Sequence, residues 1–187
     1  MARIGNPSTD GFVKRMKHLN QNKRIALLAC GIFILDQATK LIVLNFMGFQ
    51  EEKVIIEGFF KFVHWGNTGA AWSMFYGNNG MLAIVGIVAM AVLILTRHHF
   101  DVHRVWGQIS LGLILGGITG NLLDRVLPSR RHVIDFIYFY VHRRDGLEAG
   151  FPAFNVADTA ICTGVGLLFL MSLRNEPEQT STAEDRN

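Results

Sequence analysis

The apolar residues of this chain lie in blocks, not in the one-sided stripes of a soluble amphipathic helix. Arg24 is followed by "IALLACGIFIL" and Gly80 by "MLAIVGIVAMAVLIL", and two further apolar runs occupy 105–123 and 156–173. A helix crossing hydrocarbon needs about 20 mostly apolar residues. Segments 25–46, 79–96, 105–123 and 156–173 are therefore predicted as four transmembrane helices, the second and fourth slightly short. Met81–Leu95 has no polar face, which argues against a soluble helical bundle. The stretches between the blocks follow another pattern. "KVIIEGFFKFVHWGNTGAAWSMF", within 47–78, mixes β-branched and aromatic residues with glycine turns, so short strands are expected there. "HVIDFIYFYV", within 124–155, is a second strand-like run. The predicted fold is an all-α integral membrane protein, with four transmembrane helices and a small β-rich external platform at 47–78.

Composition and charge orient these elements. Hydrophobic residues make up 50% of the 187 and charged residues only 18%, against about 25% charged in an average soluble domain. The mean hydropathy is +0.26. Lys14, Arg15, Lys17, Lys23 and Arg24 precede the first span and should keep the N-terminus cytoplasmic. Four crossings return the C-terminus to the same side, and the short basic loop "RHHFDVHR" suits a cytoplasmic turn. Arg125, Arg130, Arg131, Arg143 and Arg144 run against this rule, since they fall in the external 124–155 region; the first helix is taken to dominate. The organisation expected is a basic cytoplasmic tail (1–24), a membrane domain (25–173) with external regions 47–78 and 124–155, and a polar cytoplasmic tail (174–187). The net charge of +3 comes with no basic helix, so no nucleic-acid partner is expected. Cys30 and Cys162 fall toward opposite leaflets, so no disulfide is expected, and neither has metal-site spacing.

Ionisable groups within or beside a span are functional candidates, because burying their charge costs several kcal/mol by most estimates. Asp36 and Lys40, in "DQATK", share one helix face. They read as a buried ion pair docking the first helix, or as a direct part of a site. Asn67 and Gly69, in "NTGAAW", suit either an interfacial turn or a loop closing over a ligand. "GGITGNLLDR" brings Asn121, Asp124 and Arg125 to the end of the third span, with Asp124 and Arg125 expected to pair. Asp135, in "HVIDF", is set among apolar neighbours, and Asp158 follows Asn155 by three residues at the start of the last helix. Taken alone, Asp158 is an acid favoured by the helix dipole. Taken with Asp135, it suggests a carboxylate pair that shares a proton: one acid activates water while the other polarises a carbonyl. Spacing also allows Asp124 in place of Asp135; Asp135 is preferred because Asp124 has Arg125 beside it. No nucleophile elbow and no H-E-x-x-H motif occurs.

In this order, "DQATK", "NTGAAW", "GGITGNLLDR", "HVIDF" and "FNVAD" resemble the lipoprotein signal peptidase (signal peptidase II) family over roughly residues 25–173. The resemblance implies a monomeric, multi-pass aspartic endopeptidase of the bacterial inner membrane, with no cofactor. It would remove the signal peptide from prolipoproteins, cleaving before a diacylglyceryl-modified cysteine, in contact with membrane lipids and near the external face. It also implies that Asp135 and Asp158 are catalytic, while Asp36, Lys40, Asn67, Gly69, Asn121, Asp124, Arg125 and Asn155 line or brace the site. A short segment within 47–78 would cover it. "LPSRRH" and "VHRRDGLEAG" look slightly long for the family and are expected to change the rim of the site rather than the pair. Gly69, Ala70 and Ala157 would suit small substrate side chains. The rival from another class is a small transporter or channel subunit, with Asp36, Lys40 and Asp158 along an ion or proton path. That reading requires charges spread over several depths.

Overall fold

The computed structural model describes residues 7–69, 75 and 77–174. Residues 70–74, which include Ala70, lie outside the described residues, as do 1–6 and the 175–187 part of the polar C-terminal tail. The chain runs α1 (Pro7–Phe46), β1 (Glu52–Ile56), β2 (Phe60–Asn67), α2 (Asn79–Leu95), a short 3-10 turn (Arg97–Phe100), α3 (Val105–Val126), β3 (Val133–His142), β4 (Glu148–Gly150) and α4 (Val156–Arg174).

Among the described residues, three helices are long and apolar enough to cross a membrane: Asn20–Phe46, Val105–Val126 and Val156–Leu173. The fourth apolar helix, α2, has 17 residues. At about 1.5 Å per residue it falls short of the roughly 30 Å of hydrocarbon. Leu27, Ile34, Ile84, Val88 and Phe169 are exposed on the helices, as side chains facing lipid tails would be. α1 begins well before the apolar block, at Pro7; proline suits a first helical position because its missing N–H would have no partner there. α3 ends before Pro128, which leaves Leu127 extended (φ −66°, ψ 122°).

Small residues bring the helices together. A Cβ on Gly116 would lie 2.7 Å from the Ala29 carbonyl oxygen, and one on Gly117 would lie 2.5 Å from that of Ala157. Both backbones, of α1 and α4, therefore rest directly against α3.

The strands form one antiparallel sheet in the order β1-β2-β3-β4. The platform is thus wider than 47–78, because the second external region supplies its third and fourth strands. A register shift between Phe62 and Trp65 sets Trp65 opposite Asp135 and Asn67 opposite Val133. The sheet packs on the end of α1 through Val43, Met47, Ile134 and Phe136, with Val156 of α4 alongside. The C-terminal ends of α1 and α3, the start of α4 and the inner strands therefore meet at one end of the bundle.

Candidate active site

α4 begins with a reciprocal cap. Asn155 Oδ1 accepts the Asp158 backbone N–H at 2.9 Å, and Asp158 Oδ2 accepts the Asn155 N–H at 3.2 Å. Each side chain satisfies a donor that a helix start leaves unpaired. The Asn155 amide also donates to Asp135 Oδ1 at 2.8 Å, so one residue holds both carboxylates, Asp135 through its side chain and Asp158 through its backbone N–H. Asn67 donates to the other Asp135 oxygen at 2.9 Å; the register of β2 and β3 makes the two diagonal neighbours on one sheet face. Asn121 donates to Asp158 Oδ1 at 2.7 Å. Burial, and after it the charge of Asp158, pushes Asp135 up to about 7, against the pull of Asn67, Asn155 and Lys40. Asp135 and Asp158 line one cavity of about 860 Å³ with Asn67, Gly69, Asn121 and Arg125.

Behind this wall lies a buried ionic network. Lys40 reaches Asp36 Oδ2 at 2.8 Å, Asp124 Oδ2 at 2.7 Å and Asn121 Oδ1 at 3.0 Å. Lys40, Asp36 and Asp124 have no exposed surface, so each charge depends on these partners. Asp36 Oδ1 accepts the Ala157 backbone N–H at 3.0 Å, so a carboxylate from α1 helps to cap α4. Among the described residues, the sequence candidates thus divide into two layers. Asp135, Asp158, Asn67, Gly69, Asn121 and Arg125 line the cavity, while Asp36, Lys40 and Asp124 stand behind it; Asn121 joins the two layers through Lys40, and Asn155 is buried between Asp135 and Asp158.

Three expectations are corrected. Arg125 does not pair with Asp124. Consecutive helical residues diverge by about 100°, so Asp124 turns to Lys40 and Arg130 while Arg125 donates to the Gly69 carbonyl at 2.8 Å and to Asn79 Oδ1 at 3.0 Å. Ala157 does not face the cavity: it is fully buried against α3. The "LPSRRH" turn does more than shape a rim, since Arg130 contacts Asp124 and Gln37. Gln37, Asn79 and Arg130 are further contacts of these residues that the sequence pattern does not mark as part of a site. Gln37 stood beside a quoted acid, whereas nothing in the spacing marks Arg130 or Asn79.

A sequence model of the family described as Signal peptidase (SPase) II matches residues 28–174. The chain belongs to the signal peptidase II family. Proteins named lipoprotein signal peptidase share this similarity over most of the chain. The one from Symbiobacterium thermophilum is 40% identical over 147 residues, covering 77% of this chain and 90% of that protein. The one from Aeromonas hydrophila is 35% identical over 171 residues, covering 89% and 98%. A solved structure described as a bacterial membrane enzyme, determined in meso at 2.3 Å, superposes with a TM-score of 0.69 and 27% identity. That match covers 86% of this chain and 94% of the other. Membership of this protease family and the apolar helices make the chain a bacterial membrane protein.

Proposed function

We propose that this member of the signal peptidase II family removes signal peptides from prolipoproteins, cutting before the diacylglyceryl-modified cysteine, with Asp135 and Asp158 as an aspartic pair. The observation that carries the reading is the double hold of Asn155, which ties both carboxylates to one cavity wall. In the resting pair Asp135, buried among apolar strands, holds the proton, while Asp158, at a helix N-terminus and bonded to Asn121, carries the charge.

The reaction follows from that assignment. Asp158 takes a proton from water as the water oxygen bonds to the scissile carbonyl carbon. Asp135 gives its proton to the carbonyl oxygen, forming a neutral tetrahedral diol. Collapse of the diol breaks the C–N bond: Asp158 passes its proton to the leaving nitrogen, and a diol hydroxyl returns one to Asp135. Both groups end in their starting states.

In this reading α2 supplies a fourth, short crossing, both termini are cytoplasmic and the sheet lies at the external face. Residues 25–173 form the working unit between the tails 1–24 and 174–187, and the enzyme acts as a monomer in contact with lipid. Gathering of Asp135, Asp158, Asn67, Asn121 and Arg125 at one end of the bundle favours a site over an ion path along it. Purified protein incubated with a diacylglyceryl-modified prolipoprotein should release the signal peptide, and Asp135→Asn and Asp158→Asn should abolish release. Near-normal cleavage by either variant would refute the pair.

A further inference from the structure

The turn 127–132 joins α3 to β3, and one of its side chains leaves the surface. Arg130 folds back under the turn, with its side chain only 10% exposed. Its Nη1 contacts Asp124 Oδ1 and donates to Gln37 Oε1 at 2.9 Å. Gln37 in turn donates to Asp36 Oδ2 at 3.1 Å and to the Gly120 carbonyl at 3.2 Å. The buried network behind the cavity thus holds two acids, Asp36 and Asp124, and two bases, Lys40 and Arg130. Without Arg130 it would hold a net negative charge in a region that water cannot screen.

The network reaches the aspartate pair by two routes. Lys40 is shared among Asp124, Asp36 and Asn121, and Asn121 donates to Asp158. Asp36 accepts the Ala157 N–H one residue before Asp158. We infer that Arg130 is a positioning residue for the aspartate pair: by neutralising Asp124 it leaves Lys40 free to hold Asn121 and Asp36, which fix Asp158. This inference rests on the two-aspartate reading above. It gives a direct role to a turn outside the quoted family motifs.

The charged and titratable groups around these residues come from every neighbouring element. α1 contributes Asp36 and Lys40, and α3 contributes Asp124 and Arg125. Arg125 lies within electrostatic range of Asp135, Asp158 and Asp124 without pairing with any of them. The turn adds Arg130 and His132, the latter held below its usual range chiefly by burial. β3 and α4 add Asp135 and Asp158. Removing the Arg130 charge makes this surrounding more negative, which favours proton binding by the pair.

The test is a pH–rate profile of signal-peptide release by full-length protein in detergent micelles, with a diacylglyceryl-modified prolipoprotein as substrate. Arg130→Gln is expected to lower kcat roughly tenfold, to leave KM within about twofold, and to move the acid limb up by about half a pH unit or more. Arg130→Lys, which keeps the charge, should restore the limb. The double variant Asp124→Asn/Arg130→Gln should also restore it, because the buried charges again balance. Thermal melting checks that each variant is folded. A profile for Arg130→Gln superimposable on wild type, or no better recovery with Lys than with Gln, would overturn the inference. Folding lost in all three variants would overturn it too, since Arg130 would then serve the fold alone. Asp135→Asn and Asp158→Asn run beside these: activity in either sinks the two-aspartate reading itself, whereas their inactivity leaves the Arg130 result to be judged separately.

Discussion

Asn155 is the side chain on which helix start and candidate chemistry coincide, so its truncation separates the two. Asn155→Ala removes the acceptor for the Asp158 N–H and the donor to Asp135 Oδ1, at 2.9 and 2.8 Å. Loss of an N-cap costs about 1 kcal/mol, within a range of roughly 0.5–2. Loss of a hydrogen bond to a charged or proton-sharing carboxylate costs about 1.5–3 kcal/mol. Asn155 is fully buried, so water does not replace either bond. The expected destabilisation is about 2–5 kcal/mol, read as a lower melting temperature in detergent. Activity should fall by about tenfold to a hundredfold, because Asp135 loses one of its two side-chain donors. Asn155→Ser is the informative companion. A serine hydroxyl still caps α4 but does not reach Asp135 with an amide, so it should recover the cap's share of the lost stability, about 1 kcal/mol, and little of the rate. If Asn155→Ser recovered stability and rate together, or if Asn155→Ala kept the wild-type rate, the bond to Asp135 would have no part in catalysis.

Two further outcomes follow from the same geometry. Lys40→Met leaves Asp36 without a counter-charge and Asp124 with that of Arg130, and should cost about 3–5 kcal/mol, the range for breaking a buried ion pair; adding Asp36→Asn should recover part of the melting temperature, and no recovery would contradict the pairing. The raised pKa of Asp135 makes stability and rate depend on pH. An acid raised in the native state from 3.8 to about 7 contributes stability that is full below about 4 and lost as pH rises through 7. The melting temperature of wild type should therefore fall over that window more than that of Asp135→Asn, and cleavage should decline above about 7 as the Asp135 proton is lost. Parallel melting curves for the two proteins across that window would contradict the assignment.

The parts of this arrangement that were legible in sequence are those set by short-range geometry. Asp36 and Lys40 stand four apart, so an α-helix had to place them on one face, and they pair at 2.8 Å. Asn155 and Asp158 stand three apart before an apolar run, the spacing of a reciprocal cap. The apolar blocks marked the helices because the solvent for their side chains dictates composition. What was not legible depends on how distant segments meet. The partner of Asp124 is fixed by the direction in which the chain turns after α3, and Pro128 and the turn behind it bring Arg130 back. Proximity in sequence pointed to Arg125 instead, and helical rotation ruled that out. The register shift between Phe62 and Trp65 likewise decides that Asn67 reaches Asp135. Alternation along one strand carries no sign of it.

A helix cap alone does not account for the start of α4. One side-chain oxygen from Asn155 is enough to cap, and Asp158 completes the reciprocal pair with Oδ2. Asp158 Oδ1 is nonetheless held by Asn121, and Asn121 is itself held by Lys40. Ala157 N–H, which at a helix start would ordinarily be left to water, is bonded to a carboxylate from α1. Each added bond buries a polar group whose desolvation has to be offset, so as stability devices they are poor substitutes for apolar packing. As positioning devices they are coherent: every one restricts Asp158 or the backbone beside it, and the same asparagine carries the restriction across to Asp135. The polar density at this helix start fits a pair of carboxylates whose mutual geometry has to be held while a proton moves between them and a substrate.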